Sequence, residues 1–515
     1  MAATTLALGS ASYELLDALV TTSPNSTPGT GATATLSAKQ RGGTIGGATG
    51  AEKVDLTVPF GTAAGQASAL NVSSVSNGLI VRDNDSALVG GSSGSDATVN
   101  FLANASNSQV LLGGGNNRFN ASRDFVASAL NSGDGNDSIR IGGAANGSLF
   151  NTAGGNDSLI VGKTSADVDA NLGAGNDSAL FLGALIAGSD STKSWDSSVQ
   201  AHDQFNGDYN NIVNLGEGND SASFQGGVTG NYELQMGGGA DTTVFGSRSL
   251  NSGFLLDTGS GSDSTVLGFQ TNNVEIQLGS GPFSDTLVLG LGADLLNSTI
   301  SSSQSGISQG LGDRLLFAGD LMSVGIQLGS GRDSLNLTGT ASFAGPTDSW
   351  SLADGNDTVI LGASSDVFGH GLISLGAGAD SLFMAGTGYD FMIDLGSDWS
   401  ADTIAFAATS PSGEFGYTGL TINNFSNGDI LLIGNDVLTY SGLASYTSPG
   451  YAADQDSSVW SSFFSAGNRI NTIVSNDTLS SGGSTMPSMT GSYPSTQDSM
   501  MWGSQYPGIP TNRIV

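Results

Sequence analysis

The chain has 515 residues, of which 46 are acidic and 14 basic, for a formal net charge of −32 although only 12% of residues are charged. Acid so little diluted by base argues against a nucleic-acid partner and for a cation. Glycine, at 78 residues, is about twice its usual share, yet 11 prolines and 38% hydrophobic residues exclude a collagen-like or disordered low-complexity chain.

The absence of cysteine removes disulfide frameworks and thiolate metal sites. Asp outnumbers Glu 40 to 6. A surface needing only negative charge has no use for that bias, whereas a short carboxylate in a tight turn does.

In chain order, residues 1–70 carry no turn motif and read as an N-terminal extension or cap. Met1 to Leu8 lacks the basic segment and sustained apolar stretch of a cleaved secretory signal, and no apolar run approaches membrane-spanning length. Residues 12–19 predict a short helix, and residues 23–50 a Thr/Ser/Gly/Ala-rich extension.

Residues 71–439 hold a repeat. It builds from Gly90 to Asp96 and from Gly113 to Asn117, where Asn replaces Asp, and then returns as Gly-x-Gly-x-Asp ending at Asp137, Asp177, Asp220, Asp241, Asp263, Asp333 and Asp380. Looser copies end at Asp157, Asp285, Asp313, Asp357 and Asp402, and the signal fades after Asn427-Gly428-Asp429. A period of about twenty residues means a solenoid whose single units cannot fold alone.

Two and four places after each Asp the residues are almost always apolar, as at Ile139 and Ile141 or Val359 and Leu361. Seven and five places before it the alternation recurs, as at Val213 and Leu215 or Ile373 and Leu375. Period-two alternation on both sides of a turn means two strands, each with one face inward. One coil is then strand, Gly-x-Gly-x-Asp turn, strand, and a second, variable turn such as Lys163 to Ala166 or Gln270 to Asn273. The expected fold is all-β: a right-handed parallel β-solenoid, two-stranded, of about 20–24 residues per coil. Roughly 16 coils at about 4.8 Å would make a rod about 75–80 Å long. Breaks in the rhythm mark insertions near 185–211, with Trp195 and His202, and near 290–309.

Glycines in the turn allow positive φ and let carbonyls approach an ion, while each Asp supplies a hard oxygen. Oxygen donors without His or Cys select calcium. The twelve candidate ligands are therefore Asp137, Asp157, Asp177, Asp220, Asp241, Asp263, Asp285, Asp313, Asp333, Asp357, Asp380 and Asp402. The competing reading is a bare tight turn in which the Asp caps backbone amides. The Ser or Thr after each Asp is expected to form a hydroxyl ladder.

Over roughly residues 90–435 the motif resembles the glycine- and aspartate-rich nonapeptide of the repeats-in-toxin family, whose parallel β-rolls bind calcium. It departs by carrying one motif per coil instead of two, so a single row of sites is expected, with turns such as that of Asn117 empty. The resemblance implies export without an N-terminal signal and folding on meeting external calcium, with the export signal in residues 440–515.

Catalytic constellations are poor. The two histidines, His202 and His370, form no His-Glu-x-x-His motif, and four Lys and ten Arg are scattered. The expected function is a non-enzymatic extracellular or cell-surface structural or adhesive protein, a surface-layer, matrix or filament subunit. A phage fibre or appendage and a glycan-binding or glycan-active solenoid are the alternatives. Self-association is expected through residues 1–70 and 440–515, the latter with Trp460, Phe463, Phe464 and Trp502. A cell-surface glycan is a further possible partner.

Overall fold

The computed structural model describes side chains for most residues from 96 to 432, outside 188–210, 247–250, 304–310, 345–347 and 408–419. Beyond these it describes backbone strands at intervals from 3 to 91 and at 436–439 and 469–473. The expected insertion around Trp195 and His202 and the terminal aromatics lie outside the described residues.

The protein is an all-β parallel solenoid, with no helix among the described residues. Residues 12–19, expected as a helix, instead contribute to strands Ala11–Leu16 and Ala18–Thr22. The first of these pairs antiparallel with Ala3–Leu8. Eight residues are too few for a helix to stand alone, so pairing decides.

Strands leaving the glycine turns stack into one sheet, here the exit sheet, running in register from Thr98–Phe101 to Ile430–Ile433. Strands entering the turns stack into the entry sheet. Register places like on like: Ser138 faces Ser158 and Ile139 faces Leu159. Ser178 pairs directly with Ser221, 43 positions later, and Thr286 with Arg314, so the added lengths leave the stack undisturbed. Strand Leu295–Ser301 belongs to the entry sheet, so the extra length of that coil falls on either side of it, in residues 290–294 and after Ser301.

The second turn is not merely a turn. Ser165–Ala166, Leu185–Ile186, Val228–Thr229 and Asn251–Ser252 are two-residue strands that pair coil to coil, giving three strand segments per coil where two were expected. Its inward residues, such as Leu185 and Val228, are buried and need partners, which composition-rich turn segments hide from a pattern search.

The core is a column of stacked side chains between the sheets. Phe181, Phe224, Phe245 and Phe254 form one run with ring centroids 5.5, 5.2 and 5.1 Å apart. Burial thus accrues between coils, and no coil owns a core of its own.

Candidate metal centre

The glycine turn joins the two sheets along one edge. Gly175 has φ of +140° and a Cβ there would lie 1.7 Å from the carbonyl oxygen of Gly155 one coil below. Only glycine fits that stack. The turns are tied by backbone bonds, as where the N–H of Gly155 donates to the carbonyl of Ala174 at 2.7 Å.

All twelve predicted Asp occupy one inward position on this edge, and all are buried. They form a single directional ladder in which each Asp N–H donates to Oδ1 of the Asp one coil further on. Asp137 donates to Asp157 at 2.7 Å, Asp177 to Asp220 at 2.6 Å, Asp285 to Asp313 at 3.0 Å and Asp380 to Asp402 at 2.8 Å. The remaining rungs, through Asp241, Asp263, Asp333 and Asp357, follow the same rule.

The ladder also takes in the two turns that bound the repeat in the sequence and were not among the twelve expected ligands. Asn117 heads the ladder, donating its N–H to Oδ1 of Asp137 at 2.6 Å. Asp429 ends it, accepting from Asp402 at 2.9 Å on Oδ1 while Oδ2 accepts from the Ser426 N–H. The Gly428-Asp429 pair was the available signal, although its turn lacks the first glycine. Asp96, by contrast, lies outside this row. Its Oδ1 accepts from Asn116 N–H at the head of an exposed ladder that continues through Asn136, Asn156, Asn176 and Asn219. The Ser or Thr after each Asp faces outward at the start of an exit strand.

The second carboxyl oxygen decides the chemistry. Oδ2 of Asp137, Asp157, Asp177, Asp220, Asp241 and Asp263 is buried without a hydrogen-bond partner, as is that of Asp333, Asp357 and Asp380. Asn117 reveals what surrounds this position. Its Nδ2 donates to the carbonyls of Gly113 at 2.9 Å, Gly115 at 3.0 Å and Ser132 at 2.8 Å. The corner is a cage of acceptors. In the next coil the equivalent positions are Gly133, Gly135 and Thr152. A carboxylate oxygen in such a corner needs a donor or a positive charge beside it: a proton, a bound water or a cation.

Electrostatics agree. Burial pushes the carboxyl groups of Asp137, Asp177 and Asp241 up to about 7, Asp285 and Asp402 to about 8, and Asp357 to about 9. The hydrogen bond from the preceding coil's N–H opposes this, and neighbouring carboxylates add to it. In some coils a hydroxyl stands where others have Leu or Met. Thr258 lies close enough to Asp263 to help hold it nearer to 6, and Ser132 acts likewise on Asp137 without reaching hydrogen-bond geometry.

Among the described residues no three His, Cys, Asp or Glu side chains converge on a point. The donor set is instead one carboxylate oxygen per coil plus backbone carbonyls, all hard oxygen, which suits calcium. Along the outside of the same edge runs a groove of about 1050 Å³ lined by Asn171, Asn214, Gln235, Asp257 and Gln277 over glycine backbone, with no aromatic side chain in its lining. His370 Nδ1 meets Asp390 at 3.1 Å on the surface, far more exposed than the Asp ladder.

Compared with known protein families, curated proteins and solved structures, the chain matches none.

Proposed function

We propose that the chain is a non-enzymatic extracellular structural or adhesive protein, of the surface-layer, matrix or filament kind, whose solenoid is completed by calcium bound along the Asp ladder. The observation that carries the reading is the second carboxyl oxygen, buried and without a donor in coil after coil, at the position where the Asn117 amide finds three backbone carbonyls. The ligands would be Oδ2 of the twelve Asp and the carbonyls of the glycine turns. Calcium would supply positive charge to a row of acids stacked at strand spacing, whose mutual repulsion otherwise works against the stack.

The net charge of −32 supports a cation partner. The resemblance to calcium-binding repeats supports export without an N-terminal signal and folding outside the cell, where calcium is abundant. A structural role is supported by a body made of one long stack whose polar groups serve the stack itself.

The test uses the ladder's own variation. Asn117 shows that an amide fits the corner by donating to the carbonyls, so Asp241→Asn keeps the fold while removing one charge. Isothermal titration of chelator-treated protein is expected to show calcium binding at several sites, reduced in Asp241→Asn and further in Asp241→Asn/Asp333→Asn. Absence of calcium binding by the folded wild type, or unchanged stoichiometry in the double variant, refutes the reading.

A further inference from the structure

The two sheets present opposite chemistry to solvent. On the entry sheet Glu233, Asp257, Glu275 and Asp394 point outward, and Gln235 and Gln277 donate to the two glutamates. The exit sheet is different. Across its twelve strands from Ser138–Ile141 to Thr403–Phe406 no outward residue is acidic, and the charged ones are Arg140 and Arg314.

Its outward side chains form straight rows. The first is the hydroxyl row, Ser or Thr at eleven of the twelve strands. The second is mainly aliphatic and partly exposed, with Val244, Val266, Val288 and Leu316 in register on adjacent rungs. The third, just past the strands, is mostly glycine or alanine, as at Gly246, Gly268 and Gly290. Hydroxyl, branched aliphatic and small residues in three parallel rows make a level surface.

We propose that this exit-sheet face is the contact surface for a second copy of the chain, sheet against sheet. Three observations converge. First, two molecules each carrying a net charge of −32 repel over most of their surface, and this is the long face from which acid is missing. Second, twelve strands at about 4.8 Å give about 53 Å of length, and three rows about 13 Å of width, so pairing would bury about 1400 Å² in all, within the range of stable interfaces. Third, a level face of small and branched side chains is complementary to itself, as a two-fold contact requires. The aliphatic row contains one aromatic, Phe383, which is too few for stacking a glycan. Pairing by this face needs no part of the terminal regions and does not depend on the calcium reading.

Sedimentation velocity on the full chain, with calcium present, tests the idea. The wild type is expected to sediment as a dimer or larger species. Val244→Glu/Val266→Glu, which sets acids opposite acids, is expected to shift it to monomer with unchanged circular dichroism, whereas Ser349→Glu on the entry sheet leaves assembly intact. If the double variant fails to fold, cysteine replaces it as the probe, since the chain has no cysteine of its own. Single Thr242→Cys, Ser264→Cys and Thr286→Cys variants under mild oxidation are expected to yield disulfide-linked dimers from at least one position, and Ser349→Cys none. A wild type that is monomeric at about 100 µM, well above the Kd of ordinary interfaces of this size, overturns the proposal, whether or not it then binds neutral phospholipid vesicles or a soluble polysaccharide. Assembly that survives the double substitution, or cross-linking equal on both sheets, overturns it too.

Discussion

Asn117 and Asp137 stand in the same corner of consecutive coils, and the backbone N–H of the first donates to Oδ1 of the second at 2.6 Å. The pair is a natural substitution experiment. With an amide the corner is fully satisfied by three carbonyl acceptors; with a carboxylate the same place holds an oxygen that lacks a donor.

Asp241→Asn in ion-free protein should therefore raise stability by about 1–3 kcal/mol, the scale of relieving a buried unsatisfied polar group. Asp241→Ala should lower it by a similar amount, because the N–H of Asp220 loses its acceptor. Thermal melts in excess chelator check both; equal destabilisation by Asn and Ala would contradict the acceptor cage.

The pH dependence has a definite sign. Carboxyl groups raised by burial favour the protonated form in the fold, so their contribution in ion-free protein is complete below the ordinary value of 3.8 and is lost as pH rises through about 6 for Asp263 to about 9 for Asp357. Melting temperatures in chelator should fall across that window, and calcium should flatten or reverse the fall because deprotonation creates its ligand. A melting temperature that climbs with pH in chelator would contradict the buried ladder.

Position in the ladder matters more than membership of the motif. Asp333→Ala should lower calcium stoichiometry and stability, whereas Asp96→Ala, in the exposed row, should change neither measurably. Equal effects at the two sites, read by calorimetry and melting, would contradict this placement.

Gly175→Ala should cost about 2 kcal/mol or more, since φ of +140° is strained for any other residue and the new Cβ meets the Gly155 carbonyl oxygen at 1.7 Å. Chemical denaturation checks it, with Gly292→Ala as comparison: there φ is also positive but nothing lies within 4 Å.

The solenoid, its period and all twelve inward Asp were legible because each rests on a local rule repeated many times: alternation in Ile139 and Ile141, positive φ in the glycines, a short acid in the turn. What stayed hidden depends on neighbours one coil away. Ser165–Ala166 becomes a strand only because Leu185–Ile186 lies beside it. Asp96 ends a good Gly-x-Asp string, yet stacking assigns it to the row of Asn116. The second oxygen of each Asp is invisible to a motif, because its surroundings come from the carbonyls of two coils.

The ladder also has an arrow. Every rung's amide hydrogen is accepted by the carboxylate that comes later in the chain, up to Asp429, which closes on Ser426. A chain delivered N-terminus first is consequently always one coil short, its newest corner waiting for an acceptor not yet delivered. Loss of residues from the C-terminal end strands a donor of this buried ladder at the break, whereas loss from the N-terminal end strands a donor of the exposed Asn ladder, whose amides are accepted by the preceding coil, so the two ends of the stack break differently, one in a buried corner and the other in water.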